Sequence, residues 1–132
     1  MLVEYINIKR RHTLHVSEFD QIHLSANYLT LLEAPPPDLA WLVRRVLTCQ
    51  TNGANNAVSG GDFRVRYAGS TEDIITPVAA SKITTTGHRC FPLLPLSHEL
   101  QFNTAVQLSA SSELTQPRDP LEIIVIADLV RQ

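Results

Sequence analysis

Histidines, cysteines and paired arginines are the residues of this chain whose types and spacing could do chemistry. His12 and His15 stand three apart, as do Asp20 and His23, while His88 and His98 flank a Pro/Leu-rich cluster. A metal centre inside a β scaffold would want a His-x-His pair with a Glu and a later His converging on it, and no His-x-His occurs anywhere. His98 with Asn103 echoes the second half of such a set, but the spacing is wrong and the glycine is missing. No metal and no other cofactor is therefore expected. A hydrolase triad needs a nucleophile within reach of a His and a carboxylate. The chain has no Gly-x-Ser-x-Gly elbow, and Ser59-Gly60-Gly61 falls in a turn-rich stretch. Cys49 or Cys90 as a nucleophile would need an electropositive, partly exposed setting, which Arg89 supplies only feebly. The two cysteines match no zinc or redox spacing and are too few for a disulfide framework, so free thiols are the expectation and a single bridge between them is the open alternative. The chain reads as a non-enzyme.

Arg44, Arg45, Arg64 and Arg66 belong to residues 39–67, the stretch around which the chain is organised: LAWLVRRVLTCQ, then TNGANNAVSGG, then DFRVRY. Asn52-Gly53 and Gly60-Gly61 supply positive-φ positions where a chain reverses cheaply, so the two apolar runs read as a long-looped antiparallel pair. Phe63, Val65 and Tyr67 alternate with Asp62, Arg64 and Arg66, the period of a half-buried strand. The first run is ambiguous. Leu39, Leu42, Val43, Val46 and Leu47 fit a helical stripe with Asp38 as N-cap, yet the Asn/Gly turn that follows favours a strand. That strand would place Trp41, Val43, Leu47 and Cys49 on one side, with Arg45 interrupting. On neighbouring strands the four arginines would share or nearly share a face, where like charges cost stability. Glu72, Asp73, Glu122 or Asp128 would have to answer them, in this chain or across a subunit contact. Otherwise they form a solvated face with ion pairs worth little.

The remaining chain supplies short β-like runs between turn signals. Residues 1–16 open with apolar Leu2, Val3, Tyr5, Ile6 and Ile8 and turn basic at Lys9, Arg10, Arg11 and His12. They read as an arm that pairs with a neighbouring subunit, or else as an ordinary edge strand. Residues 17–32 fit a strand with Ile22, Leu24, Ala26 and Tyr28 on one face, stopped by the rigid Pro35-Pro36-Pro37 loop. Residues 73–80 suit an edge strand because Pro77 removes a ladder hydrogen bond, and residues 81–86 are Thr-rich and β-prone. Pro92 and Pro95 keep residues 87–96 from being a regular central strand. Residues 99–102 and 105–110 alternate, residues 111–120 are a surface loop, and the β-branched run of residues 121–130 suits a strand covered on both faces. Seven to nine antiparallel strands with little helix make an all-β, single-domain β-sandwich or jelly roll over residues 17–132, preceded by the arm.

Composition bounds the partners. The chain has 132 residues, enough for one domain to bury a core. Eleven Lys and Arg against thirteen Asp and Glu leave a formal charge of −2, and interleaved aromatics are few, so neither nucleic acid nor an anionic membrane is an expected partner. No run approaches a membrane span, and the amino terminus lacks a signal-peptide pattern. The expectation is a soluble protein made in a cytoplasm.

The order of parts carries a resemblance: residues 28–33, a Pro turn at 35–38, a strand ending Leu47-Thr48-Cys49-Gln50-Thr51-Asn52-Gly53, then residues 62–67, 93–102 and 121–130. Over roughly residues 25–132 this resembles the small β-sandwich structural proteins of tailed bacteriophages, the class of capsid decoration (cement) and head-fibre proteins. The resemblance implies a virion subunit, commonly a homotrimer, assembled in the host cytoplasm and seated on a lattice of the major capsid or another virion protein. It carries no catalytic residues to transfer. Subunit-contact candidates are Leu2, Val3, Ile6 and Ile8 as apolar cover, with Lys9, Arg10, Arg11, Arg44, Arg45, Arg64 and Arg66 as the charged set. The alternative is a receptor- or carbohydrate-binding module of a tail or fibre, which predicts an exposed aromatic platform.

Overall fold

The alternation of apolar and polar residues is realised as eight strands in a computed structural model that describes residues 6–50, 58–85 and 90–131. They are β1 (Ile6–Leu14), β2 (Leu29–Leu32), β3 (Leu39–Gln50), β4 (Asp62–Tyr67), β5 (Val78–Ala79), β6 (Cys90–Leu93), β7 (Val106–Ala110) and β8 (Leu121–Arg131), with a short helix α1 (Ala80–Thr85) before β6. All pairings are antiparallel and nested: β1 with β8, β2 with β7, β3 with β6, β4 with β5. A chain folded back at the β4–β5 connection and rolled up in this way gives two four-stranded sheets, β1-β8-β3-β6 (sheet A) and β2-β7-β4-β5 (sheet B). This is a jelly roll, the all-β sandwich expected.

The roll corrects the expected pairing of β3 with β4. They lie in opposite sheets, because β3 finds its partners in β8 and β6 and β4 in β7 and β5. β3 is a strand throughout, as the turn signal favoured, but it carries a bulge: Val43 opposes Ala127, Arg45 opposes Ile126, and Arg44 is the extra residue. The bulge shifts the alternation by one. Trp41 and Val43 face the core before it, and Val46, Thr48 and Gln50 after it, so Leu47 and Cys49 point outward rather than sharing a side with Trp41.

Ile6–Leu14 runs against β8 residue for residue, from Ile6 opposite Leu129 to Leu14 opposite Leu121. Leu14 is buried, Ile8 packs on the core, and His12 Nε2 lies 2.7 Å from the Leu31 carbonyl oxygen, tying β1 to β2. Of the two readings of this segment, the edge strand describes residues 6–14. Leu2 and Val3 lie outside the described residues.

Three further expectations change. Residues 16–18 and 25–27 form 3-10 turns instead of one strand over 17–32, since Glu18 accepts the His15 N–H at 2.9 Å and local i to i−3 bonds outcompete a ladder. The turns still deliver Phe19 and Ile22 into the core, Phe19 lying edge-on to Phe63 at 6.3 Å, while Leu24 is left exposed. The Thr-rich stretch after Ala79 is helix α1, with Ile83 buried and its carbonyl oxygen accepting from Gln50 Nε2 at 2.9 Å. Residues 99–102 hold one bridge, Ala40 with Phe102, rather than a strand.

Between the sheets, Phe63, Val65, Tyr67, Val106 and Leu108 meet Val43, Val46, Ile123, Val125 and Leu14. The polar tips that must enter this core find acceptors: Trp41 Nε1 donates to the Glu33 carbonyl at 2.8 Å and the Tyr67 hydroxyl to the Trp41 carbonyl at 2.5 Å. Burial pushes that hydroxyl up to about 12, so it stays a neutral donor.

Cys49 and Cys90 are bonded, which corrects the expectation of free thiols. They sit directly opposite each other across β3 and β6 with Cα atoms 4.0 Å apart, although 41 residues separate them in sequence. Loop closure over such a span contributes about 2–4 kcal/mol to stability. Replacing both cysteines by serine should lower the unfolding free energy by that amount in denaturant titration; an unchanged midpoint would show the bond adds nothing.

Candidate interaction face

Directly opposed residues of an antiparallel pair point to the same side of the sheet, so the registers of sheet A define its outward face. One row runs Arg11, Ile124, Leu47, Pro92; the next Lys9, Ile126, Arg45; a third Thr13, Glu122, Cys49, Cys90. The centre is apolar. Ile124 is only 7% exposed although its register puts it on the side away from the core. Lys9, Arg11 and Arg45 are exposed, and none has a carboxylate within ion-pairing range among the described residues. Glu122 is engaged by the Thr13 hydroxyl at 3.0 Å. Arg10 alternates to the other side of β1 and is exposed at the sheet's edge, donating to the Lys9 carbonyl at 3.3 Å.

Arg44 reaches Asp128 because of the bulge. Its Nε lies 2.6 Å from Asp128 Oδ2, and Asn7 Nδ2 donates to Oδ1 at 3.2 Å. The Arg44 hydrogen bond holds the Asp128 carboxyl below its ordinary value against the opposing effect of burial, with the Asn7 bond and the Arg44 charge adding to the lowering. Arg66 Nε pairs with Asp73 Oδ1 at 2.7 Å on sheet B, where Arg64 stands opposite Ser109. The four arginines therefore do not line one face: Arg44 and Arg45 belong to sheet A, Arg64 and Arg66 to sheet B. Two of the expected acidic partners, Asp128 and Asp73, are the ones used. The apolar centre between the cations was missed, because the expected phase of β3 put Leu47 on the same side as Trp41 and Val43.

The outward face of sheet B is polar, with Thr30, Arg64, Arg66, Gln107 and Ser109 in register, and borders a hollow of about 320 Å³ that Tyr28 also lines. Tyr28 is half-buried, and no aromatic side chain among the described residues is exposed enough to form a platform. An apolar cleft of about 530 Å³ opens between β5–α1 and β6, lined by Val78, Phe91, Pro92 and Leu94 with Lys82. Among the described residues no cluster of His, Cys, Asp and Glu is placed to hold a metal ion. His98 packs on Tyr67 with ring centroids 5.6 Å apart and its Nδ1 lies 2.8 Å from the Leu96 carbonyl oxygen.

No family model and no curated protein matches the chain. Among solved structures the fold is similar to a chain of the cyanophage Pam1 capsid asymmetric unit, with a TM-score of 0.52 and 17% sequence identity over 97% of this chain and 86% of that one. At that identity the likeness is one of fold.

A depressed folded-state pKa at Asp128 adds stability that is present above the unfolded carboxylate value and lost as pH falls through the folded one. Arg44→Ala should remove about 1–2 kcal/mol at neutral pH and flatten the acid limb of the stability profile. Equal losses at pH 7 and pH 3 in urea titrations would show that Asp128 is not the titrating partner.

Proposed function

We propose that this chain is a non-enzymatic structural subunit of a bacteriophage virion, of the decoration or cement kind, which stabilises a protein lattice through subunit contacts. The observation that supports this best is the extent of the fold likeness. It runs over 97% of this chain and 86% of a chain in a phage capsid asymmetric unit. Two of the described histidines, His12 and His98, lie against backbone carbonyl oxygens, which suits structural roles for them. Attachment as a homo-oligomer, with a trimer favoured, to the major capsid or another virion protein follows from this reading.

The test is composition and stability of the particle. Virions of the phage that encodes the chain should contain it in stoichiometric amounts by mass spectrometry, and particles made without it should lose their genome at lower temperature or lower ionic strength. Absence from purified virions overturns the reading. Leu2 and Val3, ahead of β1, are candidate contacts with a neighbouring subunit. Deleting residues 1–5 should leave thermal unfolding unchanged and reduce incorporation into particles, whereas deleting residues 1–14 removes β1, bares the edge of β8 and should abolish folding. Full incorporation of the shorter deletion removes the amino terminus from the contact set.

A further inference from the structure

We infer that the outward face of sheet A is the docking surface of this protein and that its partner is an acidic protein surface with an apolar centre. The inference rests on the reading of the chain as a virion subunit and adds which face is used and what chemistry meets it.

The two outward faces of the sandwich differ in kind. Sheet B carries a polar row of half-buried Thr30, Arg64, Arg66 and Gln107 with buried Ser109, and Arg66 is answered by Asp73. On its outward side sheet A sets half-buried Ile126 and Leu47 around the buried Ile124, with exposed Pro92 beside Leu47 on the edge strand β6. Apolar residues in register across neighbouring strands, on the side away from the core, match the desolvated centre of a protein interface. Lys9, Arg11 and Arg45 border that centre.

Charge chooses the partner. The whole chain carries a formal −2, yet on this face Lys9, Arg11 and Arg45 lack a carboxylate partner among the described residues and Asp128 is neutralised by Arg44, so the cations outnumber the one remaining carboxylate, Glu122. The local sign is opposite to that of the whole, which orients the molecule towards an acidic surface and disfavours like-charged ones. A second copy using the same face would set Lys9, Arg11 and Arg45 against their own counterparts. A phosphate backbone would answer the cations but leave Ile126, Leu47 and Pro92 without an apolar partner. An acidic protein surface with apolar side chains at its middle satisfies both. The Cys49–Cys90 bond lies on this same face and fixes β6 beside β3, so the surface is formed before binding and little ordering is lost on docking.

Particles made without the protein and wild-type chain added back provide the test, read by co-sedimentation at low and high salt. Wild type should rebind and weaken as salt rises. Lys9→Glu/Arg11→Glu/Arg45→Glu should bind about 100-fold more weakly or worse, and Ile126→Asp should also lose binding. Arg64→Glu on sheet B should stay within about twofold of wild type, since surface changes away from a contact are near neutral. Circular dichroism checks that each variant is folded; if the triple variant is not, the single exposed changes Arg45→Glu and Lys9→Glu decide. Wild-type rebinding by the charge-reversed variants overturns this face while leaving the virion reading intact. Failure of the wild-type chain to associate with the particles overturns both. Two other results also overturn it: a duplex DNA oligonucleotide bound by wild type and lost in the triple variant, or an oligomer in sedimentation velocity that the triple variant breaks apart.

Discussion

The pairing of β8 with β1 on one side and β3 on the other is the constraint on which the rest depends. Leu121–Leu129 lie between β1 and β3, from Ile6 opposite Leu129 to Gln50 opposite Leu121, and Val130 and Arg131 extend the strand along β3. One side of the strand sends Leu121, Ile123, Val125 and Ala127 into the core and the other sends Glu122, Ile124, Ile126 and Asp128 outward. Without β8, β1 loses its ladder, the N-terminal half of β3 keeps only the bridge of Ala40 with Phe102 among the described residues, and the inner apolar wall of sheet A is gone. Because β8 is the last strand and β1 the first, this contact joins residues more than a hundred positions apart, a topology whose loop-closure entropy must be met before its contacts reward it.

A rolled ribbon leaves two open edges on each sheet, and the sequence blunts each of them. β1 carries Lys9, Arg10 and Arg11 along its length; β2 is four residues long and irregular between Thr30 and Leu32; β5 is two residues long behind Pro77; β6 contains Pro92. Charge, shortness, bulging and proline all discourage unwanted strand addition. The edges are also bridged between sheets, by His12 against the Leu31 carbonyl at one side and by the Thr76 N–H to the Leu94 carbonyl at 2.8 Å at the other.

The bulge at Arg44 shows how one extra residue serves both core and surface. It keeps Trp41 and Val43 on the inner side together with Val46 and Thr48, which a regular strand starting at Leu39 could not do. It also frees the Arg44 side chain to reach Asp128, so that the carboxylate on the buried strand is paired and the neighbouring Arg45 remains unspent. In this way a local departure from the ladder decides which of two adjacent arginines is structural and which is available.

The sequence by itself determined the strands whose period is self-evident, β4 through Phe63, Val65 and Tyr67 and β8 through its β-branched run, and with them the all-β class. Those signals are local, since the side chains of one strand record which of its faces is dry. It also named Asp73 and Asp128, together with Glu72 and Glu122, as carboxylates that arginines would need, without separating the two that are used from the two that are not. The tertiary structure alone decided which strands share a sheet, that Cys49 faces Cys90, and that Arg44 and Arg45 part company from Arg64 and Arg66. Each of these depends on register between segments far apart in the chain, which no window of residues contains. The 3-10 turns around Glu18 and the helix at Ala80–Thr85 escaped for the opposite reason. There, local hydrogen bonds and the burial of Phe19, Ile22 and Ile83 at the ends of the sandwich outweighed residue types that favour strands. The apolar centre of sheet A's outer face combines both difficulties, because Leu47, Ile124 and Pro92 become neighbours only once the bulge has set the phase of β3 and the roll has laid it between β8 and β6.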